Sequence, residues 1–418
     1  MKKTVRDIDL KGKRVLMRVD FNVPLKDAVI QDDTRITAAI GTIRYILEQN
    51  VKSLVLMSHL GDPKKDMAKA KEKAEKEKKA FDEAKYIEGK HTMKPVAEHL
   101  AKLLGKPVAL APAAIGDDVR KMVDALPAGG ILMLENTRFH KEETSKEAAD
   151  RERMAKELST YGDVYVNDAF GTAHRAHAST ETVAKFLPAV AGFLMEKEIT
   201  YLSKVTEDPV RPLVAIIGGA KVSSKIAVLM NLIDKVDKLI VGGGMAYTFL
   251  KAKGLSVGDS LVEEDMIPKA QEILQKSYEK KIYLYLPIDH IVTKEFAPDA
   301  ESKHVSRGNI DDGWMGMDIG PMTIQKFQGA IKGAKTLVWN GPLGVFEFPK
   351  FSTGTAEVAR SIAALPDCIT IIGGGDSVSA VNQSGVASKM THISTGGGAS
   401  LEFLEGIELP GIKVLEDK

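Results

Sequence analysis

One cysteine, Cys368, stands in 418 residues, so no intramolecular disulfide can form and nothing points to an oxidising compartment. Its setting, Cys368-Ile369-Thr370-Ile371-Ile372, is that of a small core hydrophobe rather than a reactive thiol. An excess of one charge is also missing. The 58 Lys and Arg are matched by 57 Asp and Glu, for a formal net charge of +1. No global field then draws nucleic acid or a membrane surface, and any anion site has to be built locally. No apolar run reaches membrane-span length, and the opening MKKTVRDIDL is charged and has no apolar h-region. A cytoplasmic protein with neither nucleic-acid nor membrane partners is expected. Two nucleotide signatures are absent as well. There is no G-x-x-x-x-G-K-[ST], which excludes a P-loop protein. Gly242-Gly243-Gly244-Met245-Ala246-Tyr247 has tyrosine where a dinucleotide fingerprint needs its third small residue, although Glu263 lies at about the fingerprint's spacing.

What the chain does contain is a long series of short, β-branched apolar runs. They include residues 14–19, 53–58, 131–134, 163–166, 213–217, 238–241, 282–286, 336–339 and 369–372. Continuous runs of this kind suit strands buried on both faces. Helix-period segments lie between them, such as 147–158 and 225–236. The alternation predicts an α/β protein with mostly parallel sheets and helices on both faces. The length calls for more than one core. A helix over 194–205, flanked by Pro188, Pro209 and Pro212, marks the middle of the series and a hinge. The expected division is an N-terminal domain 1–189, an interdomain helix 190–206, a C-terminal domain 207–405 and a terminal segment 406–418. Residues 62–90 break the pattern. They are rich in Lys, Glu and Ala, and predict a solvated helix or mobile loop inserted at the surface.

Ligands of open parallel sheets bind beyond the carboxyl ends of the strands. In the first half those ends lead into Asp20 and Asn22 with Arg35 nearby, His59, Arg138 with His140, and His174 with Arg175. Arginine's planar fork matches phosphate and carboxylate oxygens two at a time, so this rim predicts a pocket for a small polyanion. In the second half the ends are glycine-rich: 218–219, 242–244, 341–344, 373–375 and 396–398. Glycine lets backbone N–H groups approach a ligand, and a helix N-terminus favours phosphate, so a nucleotide lying along this edge is expected. Lys221 and Lys225, four residues apart and so expected on one helical face near a helix start, would offset its charge. Asp376, after three glycines, suits a Mg²⁺ shared with phosphate oxygens, or a helix N-cap.

Nine motifs in order resemble the phosphoglycerate kinase family: RVDFNVP at 18–24, SHLG at 58–61, LENTRFH at 134–140, NDAFGTAHRAHAS at 167–179, GGAKVSSK at 218–225, GGGMAYTF at 242–249, WMGMDIGP at 314–321, WNGPLGVFE at 339–347 and GGGDS at 373–377. The resemblance implies two Rossmann-like domains, a cleft between them, and a C-terminal segment that packs back on the N-terminal domain. It implies a monomeric enzyme that transfers a phosphoryl group reversibly between 1,3-bisphosphoglycerate with ADP and 3-phosphoglycerate with ATP after domain closure, in glycolysis and gluconeogenesis. By resemblance Asp20, Asn22, Arg35, His59, Arg138 and Arg175 hold 3-phosphoglycerate. Gly219, Lys221, Lys225, Gly243, Gly316, Asn340, Glu347, Gly374, Gly375, Asp376 and Ser377 hold the nucleotide, with Asp376 near Mg²⁺. Arg35 and Lys225 are the expected catalytic residues. One position departs from the family pattern. SHLG usually continues Arg-Pro, whereas this chain has Asp62-Pro63. The reversed charge predicts weaker or differently salt-dependent substrate binding, with Lys64 or Lys65 as candidates to compensate.

Overall fold

A computed structural model describes residues 1–306 and 309–418, less the side chain of Glu88. The chain divides into two compact units, Met1–Glu198 with Glu408–Lys418, and Ile199–Ile407.

The first unit is built on a six-stranded sheet, parallel throughout. Its strands lie in the order Ala109–Leu110, Gly130–Met133, Ser53–Met57, Arg14–Arg18, Val164–Asn167, Ala189–Ala191. Leu54, Val55, Leu56 and Met57 are wholly buried, as a strand covered on both faces requires. Helix Thr34–Glu48 covers one face through Ile36, Ala39, Ile43 and Ile46, a stripe of period three to four. Each large side chain so buried contributes about 2 kcal/mol of apolar burial. The helix begins one residue before Arg35, which sets that guanidinium at the carboxyl edge of the sheet.

Residues 62–90 form two helices joined by residues 77–82. Helices Pro63–Lys76 and Glu83–Lys90 are capped by Asp62 and Asp82, which accept the N–H groups of Lys65 (3.3 Å) and Lys85 (3.1 Å). Pro63 is the one buried residue of the first helix, so its remaining face is solvated. The chain's last residues belong to this first unit. Gly411 donates to the Ala173 carbonyl (2.8 Å) and accepts from Asn167 (3.1 Å), and Glu416 donates to Ala189 (2.9 Å).

The second unit also has a six-stranded parallel sheet: Tyr283–Tyr285, Lys238–Val241, Leu213–Ile217, Thr336–Asn340, Ile369–Gly373, His392–Ile393. Among these six the chain order is 3-2-1-4-5-6, the doubly wound arrangement whose switch point lies between the Leu213–Ile217 and Thr336–Asn340 strands. A separate antiparallel sheet, with Asp289–Thr293 between Ser302–Ser306 and Met315–Ile319, has no counterpart in the sequence reading. Among the described residues no helix is long and apolar enough to cross a membrane.

Helix Phe193–Thr206 carries the chain from the first unit into the second. Its start is fixed by Asp168, which is fully buried and accepts the N–H groups of Leu194 (2.9 Å) and Met195 (3.1 Å) through one oxygen. The other oxygen has no partner. Burial pushes this carboxyl up to about 6, against hydrogen bonds that lower it. The folded state then binds the proton more tightly than the unfolded chain. The Asp168 contribution to stability falls as pH rises from about 4 to about 6, by something on the order of 3 kcal/mol, and is flat above. Asp168→Asn keeps an acceptor for the cap and removes the titration. Its thermal midpoint should therefore lose part of the wild-type fall between pH 4 and 6. Asp318, pushed up to about 7 by burial, supplies a fall of the same sign that remains in the variant. An unchanged pH profile in Asp168→Asn would contradict this account.

Candidate active site

The expected anion-binding residues of the first unit come together at one sheet edge. Arg35 donates to Asp20 Oδ2 at 2.8 Å, and the other Asp20 oxygen is buried, without a hydrogen bond, 3.9 Å from His59 Nδ1. Asn22 Oδ1 accepts the Gly61 N–H (2.8 Å), and Arg138 Nη1 donates to the Gly61 carbonyl (2.8 Å), so both hold the turn after the Ser53–Met57 strand. Arg138 Nε is buried with no partner, a donor left open in a half-buried guanidinium. Arg175 is exposed and donates to His174 Nε2 at 2.9 Å.

The charge of this edge comes from arginine. His59 lies well below the usual histidine range, first through burial and then through the charges of Arg18 and Arg138. His177 is held down at about 3 by burial, then Arg138 and Arg18, and His174 at about 4 by burial, then Arg175. The three rings are neutral at pH 7, each able to donate one hydrogen bond and accept another. Mutual repulsion also acts on Arg138, lowered by burial first and by Arg175 second. A bound anion relieves both costs.

Arg18 was missed as a functional candidate. It ends the Arg14–Arg18 strand, next to the apolar run Val15-Leu16-Met17, and is fully buried. Nε donates to Ser179 Oγ (2.9 Å), whose hydroxyl donates to the buried Glu143 (2.6 Å), and Nη2 lies 3.1 Å from His59 Nδ1. It places a positive charge beneath the site rather than at its surface. The available signal was a cation inside a run otherwise fit for two-sided burial.

Asp62 is also near this charge. It lines a cavity of about 280 Å³ with Lys64, Arg138, His140, Arg175 and His177. Its carboxylate already caps the following helix, and Lys65 supplies the capped N–H while its side chain lies outside the lining. Of the two candidate compensators, Lys64 is the one in place.

In the second unit a cleft of about 430 Å³ opens at the switch point. Gly219, Lys221, Lys225, Asn340, Gly374, Gly375, Asp376 and Ser377 line it, with Ser224, Gly341, Gly397 and Gly398. Lys225 Nζ meets Asn340 Oδ1, while Asn340 Nδ2 is buried without a partner. Burial lowers the Lys225 amine, and the nearby Asp376 and Glu405 carboxylates oppose that. Gly374 has φ 87°, a left-handed turn that starts helix Gly375–Gln383 with Asp376 and Ser377 in its first turn. The orphan N–H groups of that turn are donors of the kind that suits an anion.

Lys221 and Lys225 do not share a helical face. The helix spans Ile226–Leu232 and Lys225 is its N-cap. Buried Val222 and the anchoring of Ser223 to Glu263 (3.0 Å from N–H) hold residues 221–225 in a turn. Both lysines still reach the cleft because the turn itself lines it. Gly243, Gly316 and Glu347 lie outside the lining. Gly243, at φ 67°, packs so closely that a Cβ there would come 2.7 Å from the Gly219 backbone. Gly316 abuts the Tyr247 ring, and Glu347 is exposed.

A divalent cation fits this cleft in one way. Among the described residues no three His, Cys, Asp or Glu side chains gather to hold a metal. Asp376 alone lines the cleft with a carboxylate, which suits an ion that takes its remaining ligands from phosphate and water.

A family model described as Phosphoglycerate kinase matches residues 5–407. The chain is 52% identical over 417 residues to phosphoglycerate kinase of Moorella thermoacetica, covering 100% of both chains. It is 50% identical over 419 residues to that of Treponema pallidum strain Nichols, again covering 100% of both. The cytosolic phosphoglycerate kinase of Triticum aestivum is 52% identical over 418 residues, at 99% of this chain and 98% of the relative. Among solved structures, phosphoglycerate kinase from Coxiella burnetii superposes with a TM-score of 0.83 at 39% identity, covering 99% of this chain and 98% of that one.

Proposed function

The chain belongs to the phosphoglycerate kinase family, and from that premise we propose how its own residues divide the work. The protein is a phosphotransferase with a carboxyl acceptor, and it moves a phosphoryl group reversibly between 1,3-bisphosphoglycerate with ADP and 3-phosphoglycerate with ATP. The observation that carries the residue assignment is a pair of unsatisfied buried donors, Arg138 Nε in the first unit and Asn340 Nδ2 in the second. Each lies in a cationic site with room for an anion.

In this reading Asp20, Asn22, Arg35, His59, Arg138 and Arg175 hold 3-phosphoglycerate, with Arg18 adding charge from below and Lys64 closing the edge that Asp62 weakens. Gly219, Lys221, Lys225, Asn340 and Gly374 to Ser377 hold the nucleotide's phosphates. Gly243, Gly316 and Glu347, outside the cleft lining, are assigned to the nucleotide by family resemblance alone. Asp376 would hold Mg²⁺ together with those phosphates, and the ion when bound neutralises part of their charge. The acceptor is a carboxylate, ionised at pH 7, so no general base is needed. Catalysis then rests on alignment and on neutralising charge at the transferred group, roles assigned to Arg35 and Lys225. The transfer requires acceptor and donor to be brought into line with water excluded, so closure of the two units is part of the cycle. A monomer in the cytoplasm completes the proposal.

Formation of ADP from MgATP that depends on 3-phosphoglycerate, followed in a coupled assay, is the expected result. Turnover with acetate or aspartate and none with 3-phosphoglycerate would overturn it. The edge at Asp62 has its own test. Asp62→Asn keeps an N-cap and removes a negative charge beside Arg138, so KM for 3-phosphoglycerate should fall by roughly 2- to 10-fold at low salt and less at high salt. Lys64→Ala should raise it by a similar factor with kcat little changed. Identical KM values and salt slopes in both variants would remove these residues from the substrate's surroundings.

A further inference from the structure

A second pocket in the Ile199–Ile407 unit has a chemistry unlike the nucleotide cleft. It encloses about 310 Å³ and shares no residue with that cleft. Its walls come from four elements. Leu250 stands near the end of helix Met245–Ala252, Leu274 on helix Ile267–Glu279, Leu284 on the edge strand Tyr283–Tyr285, and Met322 on helix Pro321–Ile331. Leu250 is buried, Leu274 and Leu284 are partly exposed, and Met322 is 47% exposed, so an apolar wall faces water. A concave, mostly apolar pocket of about this volume with a few convergent polar groups is the usual form of a small-molecule site.

The polar groups here are of one sign. Lys253 and Lys326 both line the pocket, and no Asp or Glu does among the described residues. Lys326 Nζ donates to the Leu286 carbonyl at 3.3 Å and lies 6.0 Å from the Tyr285 ring centroid. Its ammonium is held below the usual lysine range by burial first and by the charge of Lys253 second. Two like charges lining one partly apolar pocket disfavour each other, which an anion between them would relieve. A strongly hydrated dianion such as phosphate would gain nothing from the leucines. A neutral lipid would leave the repulsion between the lysines unrelieved.

We propose that this pocket binds an amphiphilic monocarboxylate, a medium-chain or aryl acid, with its carboxylate between Lys253 and Lys326 and its apolar body against Leu250, Leu274, Leu284 and Met322. This goes beyond phosphoryl transfer, since none of these residues belongs to either half-site.

The test is calorimetric titration of the full chain with octanoate, in saturating ADP and 3-phosphoglycerate so that the phosphotransfer sites are filled. 1-Octanol is the neutral comparison. Octanoate should bind one site at least about 10-fold more tightly than octanol, the worth of a charge-assisted contact. Lys326→Gln should remove that preference and leave octanol binding and kinase turnover unchanged. Lys253→Glu, a change at an exposed position, should weaken octanoate by more than 10-fold and serves if Lys326→Gln does not fold. Octanoate binding that is abolished by the two substrates, that does not exceed octanol, or that survives Lys253→Glu would overturn the proposal. The octanoate and octanol affinities are read by calorimetry, independently of whether the chain phosphorylates 3-phosphoglycerate.

Discussion

Replacing Arg35 with alanine is expected to lower kcat by about 10²–10³ while ADP affinity stays within about twofold, since in the proposed assignment the interaction removed acts on the transferring group and not on the nucleotide. Arg35 occupies the second position of helix Thr34–Glu48, where a cation opposes the helix dipole. Its Nη1 donates to Asp20 at 2.8 Å, and its side chain is about a third exposed at 34%. A guanidinium so placed is restrained yet available to a second anion. Arg35→Lys should recover part of the loss, since it restores the charge but not the planar fork. Calorimetry with ADP and single-turnover kinetics separate the two quantities. Near-normal turnover in Arg35→Ala would remove the residue from the reaction.

The second large effect is expected at Lys225. Lys225→Met should reduce kcat by about 10²–10³ and weaken ATP by roughly tenfold, both through loss of a desolvated charge at the phosphates. The Lys225 amine is lowered by burial and sits between Asn340 Oδ1 and the field of Asp376. Removing it leaves the Asn340 carbonyl oxygen without its donor, so a modest drop in thermal midpoint should accompany the kinetic change. The split distinguishes the two variants. Arg35→Ala alters KM for 3-phosphoglycerate and leaves nucleotide binding alone, while Lys225→Met does the reverse. If Lys225→Met lost stability in proportion to activity and nothing more, its role would be structural.

Much of the fold was legible in the chain. Leu213–Ile217 and Lys238–Val241 have the bounds that their apolar runs suggest, because strands covered on both faces need unbroken apolar residues. The short edge strands Ala109–Leu110 and His392–Ile393 were not legible, since pairs of residues carry no period. The antiparallel sheet was missed for a different reason. Its middle strand, Asp289–Thr293, begins with a buried aspartate that accepts the N–H groups of Met322 (2.9 Å) and Thr323 (2.7 Å), partners far along the chain. The site shows the same division. Asp20, Arg138 and Asp376 announce themselves by residue type at strand ends. Arg18 does not, because what makes it useful is complete burial beside His59.

Sequence alone determined the α/β class, the pairing of an arginine-rich half with a glycine-rich half, and the family, because residue type and spacing are local properties of the chain. Tertiary structure decided the rest: that His59, His174 and His177 are neutral, that Lys64 rather than Lys65 lines the cavity with Asp62, and that Lys253 and Lys326 line one leucine-walled pocket. Each of those depends on desolvation and on charges brought close from distant positions, and neither exists until the chain has packed.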